Sequence, residues 1–208
     1  MADTITIPLS TQQCADTLGA HLGRTITNRV VLNLTDTGAL TDIGTGRSVR
    51  VASDELNRFV ATTRYVTPNQ WPADHPLYRV SLLGLHRDPV RRAPTSKHPN
   101  GKLLREWAGA DYANAAGLSP KMRRRAWTGV WPISEVNANR MVAEGAIIFG
   151  TTKGYVHPDY VRQVTGYERV EQGLVYVKTR PAPAEVTAFV GDGLWMNVAP
   201  GSKNAWAN

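Results

Sequence analysis

Six prolines between residues 68 and 99 divide this chain before any helix or strand can be considered. Proline fixes φ and has no backbone donor, so a cluster of prolines opposes both a continuous helix and a central strand. "TPNQWPADHP" carries three of them. "HRDPVRRAPTSKHPNG" carries three more, together with four Lys and Arg residues. Residues 86–101 therefore read as an exposed basic loop or linker between folded parts. The expected organisation is an N-terminal α+β unit over 1–85, this loop, a helical hairpin followed by an α/β module over 102–180, and an extended Pro/Gly-rich arm over 181–208.

Apolar periodicity fills in those parts as an α+β fold of mixed small sheets and short helices. "TITIPL" alternates like a strand. "STQQCADTLGAHLG" reads as a helix capped by Ser10 and stopped by Gly23, with Cys14, Leu18 and Leu22 on one face. Cys14 is expected to be a small packing residue. "TITNRVVLNL" and "RSVRVA" read as strands, and Ser53 as the N-cap of a helix with Leu56, Phe59 and Val60 inward. "LYRVSLLGL" is strand-like, and "GKLLREWAGADYANAAG" reads as an amphipathic helix ending at Gly117. Beyond it come strand "WTGVWPI", a helix capped by Ser134 with Val136, Met141 and Val142 inward, strand "AIIFGTTKGYV", short helix "HPDYVRQVTG" and strand "GLVYVKTR". "GTTKG" is expected to be a hairpin turn.

Charge is distributed unevenly along the chain, and this bears on partners. Residues 61–130 hold 12 Lys and Arg against 4 Asp and Glu, whereas 1–60 hold 5 against 6 and 131–208 hold 7 against 7. The whole excess of +7 thus falls in the middle third. Clustered cations create a field that carboxylates more than a Debye length away, roughly 8–10 Å, do not cancel. Polyphosphates are favoured partners. "LSPKMRRRAW" concentrates this charge in a helix that Ser119 can cap and Pro120 can begin.

The stretch "YANAAGLSPKMRRRAW" resembles a helix-turn-helix, over about residues 103–127. Ala113 and Ala116 are small where two helices must approach, Gly117 permits the turn, Leu118 plugs the angle and Ser119 caps the second helix. The resemblance implies a recognition helix over Pro120–Trp127, with Lys121, Arg123, Arg124 and Arg125 meeting phosphates or guanine edges. Consecutive arginines spread over about 200° of helix, which suits phosphate clamping better than base reading. "TGVWPI" departs from the motif's third helix. Arg91, Arg92, Lys97 and Lys102 extend the positive surface. Trp107 and Trp127 read as core residues, with base stacking open to them if the target is single-stranded.

Nucleic acid is therefore the expected partner, DNA ahead of RNA, with a homo-oligomer and a cytoplasmic address also expected. No apolar run reaches the roughly 18 residues of a membrane span. One alternative is a structural or assembly protein, such as a virion component whose loop and tail act as inter-subunit arms. Another is a metal-independent nuclease using His98 with Arg91 or Arg92 and Glu106. The five histidines have no metal-ligand spacing, a single cysteine builds no thiolate zinc site, and neither a Walker nor a G-x-S-x-G pattern occurs. No cofactor is expected.

Overall fold

Ser10 starts the first helix through a reciprocal cap. Its hydroxyl accepts the Gln13 N–H at 3.3 Å, while the Gln13 carboxamide oxygen accepts the Ser10 N–H at 2.9 Å. The computed structural model describes residues 6–72, 74–87, 106–170, 174–196 and 204–206. Strand β1 (Pro8–Ser10) leads into α1 (Thr11–Leu22), which ends at Gly23 with φ of 61°. Cys14, Ala15, Leu18 and Leu22 are buried along one face, as expected.

Residues 25–34 depart from the strand expectation, because Asn28–Asp36 is helix α2, packed on α1. Val31 and Leu34 lie one turn apart and are both fully buried. That helical burial outweighs the modest strand preference of the β-branched residues. Strand β2 (Arg50–Ala52) pairs antiparallel with β1 and leads into α3 (Ser53–Thr62). The cap position is Ala52 rather than Ser53. The Ser53 hydroxyl instead accepts the Ile7 N–H at 3.2 Å, tying the small sheet to α3, which buries Leu56 and Phe59.

The remaining strands are β3 (Arg64–Val66), β4 (Leu77–Ser81), β5 (His86–Arg87), β6 (Trp107–Ala108), β7 (Val130–Trp131), β8 (Ile147–Thr152), β9 (Tyr155–Arg169), β10 (Val175–Pro181), β11 (Leu194–Met196) and β12 (Asn204–Trp206). Helices α4 (Pro120–Thr128), α5 (Glu135–Ala143) and α6 (Ala184–Val190) lie between them. The fold is α+β. An eight-stranded mixed sheet runs β12-β4-β8-β9-β10-β7, and β11 pairs with β9 on one side and β3 on the other. β4 and β8 are parallel, as are β3 and β11, while β8, β9 and β10 form antiparallel hairpins. One hydrophobic cluster extends from Cys14 of α1 to Trp195 of β11.

Several elements differ from the sequence reading, each for a packing reason. Residues 157–166 belong to the long strand β9, where the alternation of Val, Tyr and Thr is satisfied between β8 and β10. Trp127 and Thr128 close α4, and only Val130–Trp131 of "WTGVWPI" is strand. In α5, Ala138 and Met141 face the core while Val136 is 77% exposed and Val142 also faces solvent. Instead of an extended arm, residues 184–196 form α6 and β11, because Val186, Val190, Leu194 and Trp195 are apolar enough to be wholly buried. "GTTKG" turns as expected, with Lys153 and Gly154 at φ of 55° and 99° between β8 and β9.

Two features position α4. Strands β5 and β6 pair antiparallel, so His86–Arg87 lies beside Trp107–Ala108, and β6 packs on α4. After β6, Gly109 adopts φ of 109° and donates its N–H to the Ala126 carbonyl near the end of α4 at 3.2 Å. A Cβ on Gly109 would lie 2.5 Å from the Gly84 carbonyl oxygen and 2.8 Å from that of Leu83. Gly109→Ala is therefore expected to lower unfolding free energy by about 2–3 kcal/mol, from the positive φ and the overlap together. Urea denaturation checks this, and an unchanged midpoint would show that the backbone relaxes freely.

Candidate functional site

The segment before α4 is not a helix within its described part. Residues 106–117 contain β6 and two turns, with Asn114 and Gly117 at φ of 53° and 61°. The backbone donors needed for a helical ladder go elsewhere. Ala110 N–H reaches Leu83 O at 2.9 Å, Asp111 N–H reaches the Tyr160 hydroxyl at 2.9 Å, and Tyr112 N–H reaches Thr37 O at 2.7 Å. The Asp111 carboxylate then accepts from Ala115 and Ala116 at 2.8 and 2.9 Å, forming the turn through its side chain. Ala113 and Ala116 are exposed rather than pressed between helices. The helix-turn-helix expectation is thereby corrected: among the described residues no helix immediately precedes α4.

Helix α4 itself forms as its sequence demands. The Ser119 hydroxyl accepts the Met122 N–H at 3.3 Å, and Pro120 occupies the first turn. Trp127, 1% exposed, anchors its far end against Tyr160, the ring centroids 5.3 Å apart. Trp127 is thus core, unavailable to stack on a base. Trp107 is half-buried beneath the Arg87 guanidinium.

Facing α4, strand β9 carries an unusually large bulge. Phe149 pairs with Val161 and Thr151 with Val156, so residues 157–160 lie opposite the single residue Gly150. Pro158 sits in this bulge, where no ladder donor is required of it. The bulge carries Asp159 to α4, and the Arg123 guanidinium donates to its carboxylate at 3.1 Å.

Arg123, Arg124 and Trp127 of α4, with Asp159, Tyr160 and Arg162 of β9, line a cleft of about 190 Å³. Three guanidinium groups share it with one carboxylate. Arg162 is held by an Nε–H donated to the Thr179 hydroxyl at 2.9 Å. Neither Arg124 nor Arg162 has a carboxylate partner among the described residues. Burial lowers the Arg162 pKa, and the nearby Arg124 charge lowers it further. Burial raises the Tyr160 phenol to about 12, so it stays protonated and hydrogen-bonded to Asp111 at neutral pH.

Lys121 is exposed and Arg125 half-buried, and both lie outside the cleft lining. Helical spacing sets Lys121 one turn from Arg124 and Arg125, so it extends the same positive surface. Arg91, Arg92, Lys97, Lys102 and His98 lie outside the described residues. Glu106, placed in a nuclease constellation by the sequence, forms an exposed ion pair with Arg87 at 3.5 Å. Among the described residues no group of three His, Cys, Asp or Glu side chains could hold a metal ion, and no helix is long and apolar enough to cross a membrane.

Sequence reasoning missed Asp159 and Arg162, because their segment was read as a helix. Pro158 in the middle of that segment, among Val, Tyr and Thr residues, was the available signal.

Behind the cleft, His157 stacks on Tyr112, centroids 4.9 Å apart and planes 9° from parallel. Its Nδ1 accepts the Asp159 N–H at 3.2 Å, which requires a neutral ring. Burial pushes its pKa below 6.5, Asp159 opposes that shift and Arg123 reinforces it. As pH falls below about 6.5, the unfolded chain takes up a proton that the folded chain refuses, so stability declines until the folded pKa is passed. His157→Phe keeps the stack without the titration. Comparing urea midpoints near pH 7.5 and near pH 5.5, the acid-side loss is expected to be smaller in this variant. An equal loss in both proteins would exclude His157 as its source.

Comparison with known proteins finds no matching family model, curated protein or solved structure.

Proposed function

We propose that this protein binds nucleic acid through its phosphates in the cytoplasm, with the α4–β9 cleft as the anchoring contact. One observation carries the reading: three arginines from two separate elements converge on a partly enclosed space that holds a single carboxylate among the described residues. Arginine's planar fork suits phosphate oxygens bidentately, and a partly desolvated guanidinium exerts more force than a solvated one. Lys121 and Arg125 widen the basic surface on the same helix. The pairing of β5 with β6 beside α4 supports a contribution from the stretch that carries Arg91, Arg92, Lys97 and Lys102.

Among the described residues no helix immediately precedes α4, which favours phosphate contact over base readout. Duplex DNA is the first ligand to test. Fluorescence anisotropy of a labelled duplex, a single strand and an RNA hairpin should show affinity falling steeply with salt, because each neutralised phosphate releases a counterion. If about six cations take part, the logarithmic slope on duplex DNA would be about −5. Absence of binding to all three ligands at roughly 50 mM salt would overturn the proposal.

A further inference from the structure

We infer that the α4–β9 cleft receives a phosphomonoester dianion, the terminal phosphate of a nucleic-acid strand, in preference to an internal phosphodiester. This rests on the nucleic-acid reading above and names the group that enters the cleft.

Charge makes the first argument. Arg123, Arg124 and Arg162 bring three positive charges, and Asp159, paired with Arg123 at 3.1 Å, removes one. Among the described residues the cleft therefore holds an excess of two. An internal phosphodiester carries one negative charge and would leave a cation uncompensated in a partly enclosed space. A phosphomonoester carries about −1.5 to −2 near pH 7 and presents three strong acceptor oxygens. It matches both the excess charge and the number of forks. Arg124 and Arg162 line the same space from separate elements, and the charge of Arg124 disfavours that of Arg162, an unfavourable pairing that a bound dianion relieves.

Shape makes the second. Trp127 and Tyr160, each only 1% exposed, line the cleft with buried aromatic surface. A phosphate at a strand end has one ester arm to lead back out of the opening, whereas an internal phosphate has two. A space of about 190 Å³ is ample for a phosphate group. The charge on Lys121 and Arg125, beyond the lining, favours a ligand that continues as a polyanion over a phosphorylated side chain on a protein.

The test uses the full chain and one short single-stranded DNA, labelled internally, bearing a 5′-phosphate, a 3′-phosphate or hydroxyls at both ends. A phosphorylated end is expected to bind roughly tenfold or more tightly than the hydroxyl-ended strand, the range of one charge-assisted contact. Arg162→Ala should abolish that difference, whereas Lys121→Ala should weaken all three strands alike. Circular dichroism confirms folding of the variants, and Arg124→Ala serves in place of Arg162→Ala if the latter is unfolded. Equal affinity for all three strands, with binding retained, would overturn the inference and leave the nucleic-acid reading intact. Failure of every strand to bind would remove that reading, and the inference with it. A phosphoserine peptide that binds as tightly as the phosphorylated strand would overturn the strand end as the source of the group.

Discussion

Trp127→Ala is expected to lower unfolding free energy by about 3–5 kcal/mol, the usual result of truncating a fully buried large aromatic. Against a typical total of about 5–15 kcal/mol, that would leave a marginal protein. The loss should be large because Trp127 is the main apolar anchor of α4. This helix has nine residues, four of them Lys or Arg, and only Ala126, Trp127 and Thr128 are buried. A helix so short and polar does not persist in water without tertiary packing. Removing the indole also leaves Tyr160 without the ring it leans on, at 5.3 Å, and disturbs the turn in which the Trp131 indole donates to the Trp127 carbonyl at 2.9 Å. Chemical denaturation followed by circular dichroism measures the loss. A loss below about 1 kcal/mol would mean that α4 is held mainly by its backbone contacts to Gly109 and the strand before it.

The second large effect concerns binding. Arg124→Ala combined with Arg162→Ala is expected to weaken polyanion binding by roughly 100-fold or more at low salt, since each charge-assisted contact contributes about 1.5–3 kcal/mol. The logarithmic salt slope should become shallower by about two, one for each phosphate contact removed. Stability should move the other way or not at all. Neither guanidinium has a carboxylate partner among the described residues, so truncation breaks no ion pair, and the relieved repulsion offsets the loss of the Arg162–Thr179 hydrogen bond. Loss of binding with stability retained would distinguish a ligand site from a structural cluster. An unaltered salt slope would place the phosphate contacts elsewhere on the chain.

What could be read from the sequence were features written within a few neighbouring residues. The Ser10 cap and Gly23 stop of α1, the Ser119–Pro120 start of α4, the Ser134 cap of α5 and the Lys153–Gly154 turn all follow from φ preferences and side-chain hydrogen bonds that act over three or four residues. The middle-third excess of charge is likewise a property of composition, and it drew attention to α4.

Long-range partners decided the rest. Residues 106–117 have the composition of a helix, yet Tyr160, Thr37, Leu83 and the Asp111 side chain capture the hydrogen-bonding groups that a helix would use. Residues 28–36 have the composition of a strand, yet their burial against α1 selects a helix. Asp159 and Arg162 reach α4 only because β9 bulges opposite Gly150. Local propensities differ by about 1 kcal/mol or less per residue apart from proline, whereas burying one large side chain contributes about 1.5–3 kcal/mol. Wherever a distant segment can supply that burial, the near-neighbour preference yields. The cations of α4 were therefore legible in the chain as written, but the cleft they form with β9 exists only in the folded protein.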